Sequence, residues 1–65
     1  MKILLKEICK KKHVTTRQLE EISQLSKSTI SRIQNETLSP TMDQMEALAA
    51  ALKMRISDLY ESKYK

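Results

Sequence analysis

No glycine, phenylalanine or tryptophan occurs among the 65 residues of this chain, and there is one proline, one cysteine and two tyrosines. Each absence excludes something. Without glycine there is no glycine-rich phosphate loop. Any turn that needs a left-handed backbone must then be made by a residue with a Cβ, at roughly 1 kcal/mol. With two tyrosines as the only aromatics, the platforms on which single-strand binders stack bases are missing. The core must come from Leu, Ile, Met and Ala, which suits small helices. A single cysteine forbids an intrachain disulfide, and nothing argues for secretion. The longest early apolar run, Ile3-Leu4-Leu5, stops at Lys6. A signal peptide needs roughly 7–15 apolar residues and a membrane span about 20. A cytoplasmic protein with no membrane association is therefore expected. At this length a chain buries only about 60% of its unfolded surface, so a single domain over 1–65 without a large enclosed active site is expected.

What is present is positive charge, unevenly placed. The formal net charge is +4 and the pI about 9.4. Residues 1–35 carry eight Lys/Arg against three Asp/Glu, a net +5, whereas residues 36–65 carry four against five, a net −1. A polyanionic partner fits this balance, and its contact belongs to the first half.

Hydrophobic periodicity predicts five short helices. Leu4, Leu5, Ile8 and Cys9 recur at helical spacing, predicting a helix over 2–12. Thr15-Thr16-Arg17-Gln18 reads as a capping box opening a helix over 16–23 that buries Leu19 and Ile22. Ser26 suits an N-cap for a helix over 27–35. Pro40 forbids a helical Ser39, and Thr41 to Gln44 repeats the capping pattern for a helix over 42–52. Its core residues are Met45, Leu48, Ala49 and Leu52, with Met42 at the edge; the Met42–Met45 pair reads as core rather than as a partner groove. A short helix over 56–60 turns Ile56 and Leu59 inward, and 61–65 is a frayed tail.

The third helix carries the functional signal. At about 100° per residue, with Lys27 at zero, Ser28, Ser31, Arg32 and Asn35 fall between 0° and about 140°. Ser26, Thr29, Ile30 and Ile33 gather on the other side, so one face is polar and cationic and the other apolar. Two short helices joined by about three residues, the second with a polar outer face, make a helix-turn-helix. A single helix fits the B-DNA major groove, where every base pair shows a distinct donor–acceptor pattern. Lys27 and Arg32 can donate to guanine, and Ser28 and Ser31 can donate or accept. Thr15, Thr16, Arg17, Gln18 and Asn35 sit at helix ends, where side chains and free N–H groups hold phosphates.

From about Ile3 to Tyr60 the chain resembles the Cro/CI-type helix-turn-helix domain of phage repressors and small bacterial regulators. The residues that carry the resemblance are Leu19, the Ser-Lys-Ser-Thr-Ile-Ser-Arg-Ile run at 26–33, Pro40, "LAAAL" at 48–52 and Ile56-x-x-Leu59. The resemblance implies an all-α, compact five-helix bundle of the lambda-repressor-like kind, dimeric on a pseudo-palindromic operator. It implies base contacts by Lys27, Ser28 and Arg32, and phosphate contacts by Thr15, Thr16, Asn35 and Thr37. The dimer contact is expected on the last helix, through Ile56, Leu59 and Tyr60.

The chain departs from that family pattern in two ways. Glycines common at three helix exits are replaced by Gln24, Glu36 and Lys53. Gln24 is then the expected carrier of a positive φ, and Glu36 puts an acid at the DNA edge. An Arg–Glu pair often joins the first and third helices, and here both positions change, to Cys9 and Gln34. Losing one partner of a buried pair costs about 3–5 kcal/mol, whereas losing both can be neutral. The joint change therefore predicts that Cys9 packs near Gln34.

Several other readings are weaker. Cys9 and His13 are too few for a structural zinc site, which needs four ligands, so no metal or cofactor is expected. Lys10-Lys11-Lys12 could clamp a phosphate or simply solvate a helix end, where it suits the dipole. Arg32 could pair with Glu36 at i+4 instead of meeting DNA. With one Cys, one His and no paired carboxylates at an obvious cleft, enzyme function is not expected, nor is small-molecule sensing. A sequence-specific double-stranded DNA-binding regulator, most simply a repressor, leads. The alternative is a protein-interaction module, such as an antitoxin, on the same fold.

Overall fold

The structure is a computed structural model that describes residues 2–64. The element order is β1 (Lys2–Ile3), α1 (Leu5–Lys12), α2 (Thr16–Ser23), α3 (Lys27–Gln34), α4 (Met42–Leu52), a 3-10 turn (Ile56–Leu59) and β2 (Tyr60–Glu61). There are thus four α-helices among the described residues, not five. The segment expected as a fifth helix is one 3-10 turn, and Tyr60 is already extended at φ −146°, ψ 160°. The first helix starts at Leu5 rather than at residue 2, because Lys2 and Ile3 pair antiparallel with Glu61 and Tyr60. Glu61 is therefore strand rather than frayed tail; Lys65, at the end of that expected tail, lies outside the described residues. The pairing continues into the Leu4 N–H, which donates to the Leu59 carbonyl oxygen at 2.8 Å.

Hydroxyl caps start the other three helices. Thr15 Oγ1 accepts from the Gln18 N–H at 3.1 Å while Gln18 Oε1 accepts from the Thr15 N–H at 2.9 Å, a complete capping box. Thr41 and Gln44 repeat it at 3.1 and 2.9 Å. Ser26 Oγ accepts from the Thr29 N–H at 3.1 Å. Each satisfies N–H groups that a helix start would otherwise leave bare.

The helices close without glycine. His13, Gln24, Glu36 and Lys53 all take positive φ, between 55° and 61°. At three of them the following residue's N–H reaches five residues back: Val14 to Cys9, Thr37 to Arg32 and Met54 to Ala49, at 2.9, 2.9 and 3.0 Å. This is the Schellman closure, in which the left-handed residue lets two N–H groups satisfy carbonyls at the helix end. Gln24 makes the simpler closure, its own N–H donating to the Glu20 carbonyl at 2.9 Å. The positive φ expected at Gln24 is found, and Glu36, Lys53 and His13 share it.

The four helices and the 3-10 turn contribute to one core: Leu5 and Cys9 from α1, Leu19 from α2, Ile30 and Ile33 from α3, Met45, Leu48, Ala49 and Leu52 from α4, and Leu59 from the 3-10 turn. A fully buried Leu or Ile stabilises by about 1.5–3 kcal/mol. Three side chains expected elsewhere are displaced. Ile22 is 62% exposed rather than buried, since the packed face of α2 runs from Leu19 through Ser23 and Thr16 to Glu20, and Ile22 lies on the far side of Leu19 from it. Met42, in the first turn of α4, is 69% exposed and so is not core, unlike Met45. Leu59 is fully buried in its own chain's core, so it cannot form the surface of a dimer contact.

Candidate nucleic-acid interface

The outer face of α3 is set by what lies beneath it. Ile30 and Ile33 are fully buried and Thr29 is half-buried, which fixes the helix rotation. Lys27, Ser28, Ser31, Arg32 and Asn35 are consequently all exposed on the opposite side. With its side chains an α-helix is about 10–12 Å across, which fits the roughly 12 Å width of the B-DNA major groove. The sequence-predicted base-reading residues are thus brought together on one exposed face.

The α2–α3 turn holds this helix. Ser23 Oγ donates to the Leu19 carbonyl at 2.6 Å and accepts from the Leu25 N–H at 3.3 Å. Leu25 packs against the core. Ser26 Oγ, besides capping, donates to Thr29 Oγ1 at 2.8 Å. A left-handed Gln24 is therefore pinned on both sides by side-chain hydrogen bonds and an apolar anchor.

The expected phosphate-contacting residues divide into two groups. At the start of α2, Thr15 and Gln18 are exposed, and their capping bonds use their oxygens as acceptors. The Thr15 O–H and the Gln18 amide N–H groups take no part in those bonds and remain as donors, the half of the group that a phosphate needs. Thr16 is half-buried. Arg17 is exposed and sits 3.8 Å from Glu21, a loose surface pair worth little, so its guanidinium can turn to DNA. At the exit of α3 the donors are already engaged. Both the N–H and the Oγ1 of Thr37 donate to the Arg32 carbonyl, at 2.9 and 3.2 Å. Asn35 Nδ2 donates to Ser31 Oγ at 3.4 Å. Thr37 would have to release its bond to meet a phosphate, whereas Asn35 keeps a second amide hydrogen.

Arg32 does not pair with Glu36. The described ion pairs are Lys2–Glu7 and Arg17–Glu21. The left-handed backbone at Glu36 takes it out of helical register with Arg32, and both charges stay exposed.

Gln34 meets Cys9 across the α1–α3 contact, as the joint replacement of those positions predicts. Burial, at 5% exposure, pushes the Cys9 thiol pKa up, and the Gln34 side chain beside it pulls the other way. The thiol is a small apolar filler with a polar neighbour. It seats the C-terminal end of α3 without a buried charge.

Lys10, Lys11 and Lys12 are exposed on the last turn of α1. Lys11 and Lys12 border an open groove of about 460 Å³ with Ile8, Met54 and Asp58. An apolar floor and a carboxylate make a poor phosphate seat. The lysines instead lie beside the carbonyl end of α1, where cations are favoured. No group of three or more metal-ligating side chains occurs among the described residues, and none of their helices is long and apolar enough to cross a membrane.

Four helices on one small core, with a capped second helix, a pinned turn and a polar third helix facing outward, define a helix-turn-helix domain. The model of the Cro/C1-type HTH DNA-binding domain family matches residues 4–63, and the chain belongs to that family. No curated protein and no solved structure matches the chain significantly.

Proposed function

We propose that this chain is a sequence-specific double-stranded DNA-binding transcriptional regulator, acting as a repressor on a pseudo-palindromic operator. The exposed face of α3 carries the reading: Lys27, Ser28, Ser31 and Arg32 are turned outward by the burial of Ile30 and Ile33. In this reading α3 lies in the major groove, and Arg32 and Lys27 donate to guanine O6 and N7. Ser28 and Ser31 supply shorter contacts. The start of α2, through Thr15, Thr16, Arg17 and Gln18, holds the flanking phosphates, and Asn35 adds one at the exit.

The protein acts as a dimer, whose two recognition helices enter successive major grooves about 34 Å apart. One chain measures 31 × 22 × 20 Å, so two copies side by side along the duplex meet that spacing without a linker. With Leu59 in the core, the exposed parts of Ile56 and Tyr60 are what the C-terminal segment offers to such a contact.

The test is selection of bound sequences from a random duplex library, followed by titration of the selected duplex with native, Lys27→Ala and Arg32→Ala proteins. The expected result is enrichment of a two-fold-related motif. Arg32→Ala should cost about 1–3 kcal/mol and relax preference at one base pair in each half-site. Affinity should fall steeply with salt, about −0.9 in the log–log slope for each phosphate neutralised. No enrichment by a folded native protein overturns the proposal and leaves the protein-interaction reading.

A further inference from the structure

Between Gln24 and Met42 the charged residues are Lys27, Arg32 and Glu36. Two cations thus share the recognition helix and its exit with a single acid. Glu36 follows Asn35, which lies on the outward face. The closure of α3 fixes its position: the Glu36 N–H donates to the Ile33 carbonyl at 3.1 Å, and the Thr37 N–H and Oγ1 both donate to the Arg32 carbonyl. Its φ is 59°, which places it in the left-handed region and off the helical register with Arg32. The side chain is exposed, forms no ion pair among the described residues, and belongs to the residue directly after the last one on the face that would approach DNA. The left-handed backbone alone does not single it out, since His13, Gln24 and Lys53 share it. The acid does.

Resting on the DNA-binding reading above, we propose that Glu36 is an electrostatic brake, an affinity-setting residue whose unpaired charge opposes the phosphates nearest the exit of α3. Phosphate repulsion carries no sequence information. Glu36 therefore lowers binding to operator and to random duplex by the same factor. Occupancy of non-specific DNA, which is held by charge almost alone, falls while the ratio that defines specificity is kept.

The experiment titrates the selected duplex and a random duplex with native protein and with Glu36→Gln, Glu36→Lys, Glu36→Gly and Glu46→Gln, across a salt series. Glu36→Gln keeps side-chain size and removes the charge. It should tighten both duplexes by about threefold to tenfold at low salt, with the gain shrinking as the screening length falls to about 3 Å near 1 M salt. Glu36→Lys should repeat the step, giving about twice the logarithmic gain. Glu36→Gly should match Glu36→Gln in affinity while raising thermal stability, which separates charge from backbone strain. Glu46, an exposed acid on α4, controls for net charge, and Glu46→Gln should change affinity less than twofold.

Native-like affinity in Glu36→Gln, or a gain equal to that of Glu46→Gln, overturns the brake while leaving the DNA-binding reading intact. Weaker binding by Glu36→Gln, confined to duplexes with a cytosine at one position, also overturns it, because the carboxylate would then be accepting from a base. Failure of native protein to bind any duplex removes both proposals together, and is told apart by the absence of any salt-dependent binding to diminish.

Discussion

Lys53→Gly tests whether the glycine-free helix exits store recoverable strain. Lys53 closes α4 at φ 55°, ψ 49°, donating to the Ala50 carbonyl at 3.3 Å, and the Met54 N–H donates to Ala49 at 3.0 Å. Its side chain is exposed and forms no ion pair among the described residues. A left-handed residue with a Cβ costs roughly 1–2 kcal/mol. Glycine removes that, but its unfolded chain has more freedom to lose, roughly 0.5–1 kcal/mol. The net gain is therefore about 0.5–1 kcal/mol. In a domain this small each 1 kcal/mol moves Tm by about 4–8 °C, so Lys53→Gly should raise Tm by about 2–8 °C in thermal melts followed by circular dichroism. Lys53→Ala keeps the Cβ and loses only the charged side chain, so it should leave Tm within about 2 °C. If Lys53→Ala raises Tm as much as Lys53→Gly, the gain came from charge and the strain argument fails. A lower Tm for Lys53→Gly refutes the left-handed closure itself.

Three further outcomes follow from the same contacts. Thr15→Ala and Thr41→Ala each remove one half of a capping box and should each cost about 1 kcal/mol of stability in urea unfolding. Only Thr15→Ala should also weaken DNA binding in the same buffer, because only Thr15 stands at the start of α2. Leu59→Ala should cost about 2–5 kcal/mol by opening a cavity in the core, leaving much of the protein unfolded at 25 °C, whereas Ile22→Ala, at a 62% exposed position, should cost less than about 1 kcal/mol. The Cys9 thiol has its pKa raised by burial, so the folded state holds that proton to higher pH than the unfolded chain. Stability from this group is full below the unfolded value of 9.0 and falls as pH rises past it. Urea midpoints compared between pH 8 and pH 10 should drop more for native protein than for Cys9→Ala, and equal drops would refute the burial of Cys9.

Helix starts were legible because their chemistry is local. Thr15 with Gln18, Ser26 with Thr29, and Thr41 with Gln44 each lie three residues apart, and hydroxyls in those places have one strong use. The outward face of α3 was legible because Ile30 and Ile33 fix a rotation that the wheel reads directly. The Cys9–Gln34 contact was legible as a paired departure from the family pattern. What escaped was non-local or too short to show a period. Lys2–Ile3 and Tyr60–Glu61 are two residues each and lie at opposite ends of the chain, so no alternation marks them. Ile56 and Leu59 show one apolar spacing, which a 3-10 turn satisfies as well as an α-helix. Ile22 was misplaced because the packed side of α2 runs through Leu19, Ser23, Thr16 and Glu20, and Ile22 lies on the other side of Leu19 from it.

The same hydrogen bonds that build the fold decide which end of each helix can reach a phosphate. A capping hydroxyl uses its oxygen to accept from the chain and keeps its O–H. At Thr15 that O–H, together with the Gln18 amide N–H groups, stays unused on an exposed residue at the start of α2, where the helix dipole also favours an anion. At the exit of α3 the logic reverses: the bare groups there are carbonyls, so Thr37 donates to that of Arg32, while Asn35 donates to the Ser31 hydroxyl. A glycine at position 36 would change none of this bookkeeping but would remove the carboxylate. On the proposed reading, affinity in this domain is drawn from the start of α2 and from the flank of α3, while Glu36 restrains it. The prediction that Thr15→Ala weakens binding and Glu36→Gln strengthens it, although both residues border the same helix pair, distinguishes this division from a surface that attracts DNA by net charge alone.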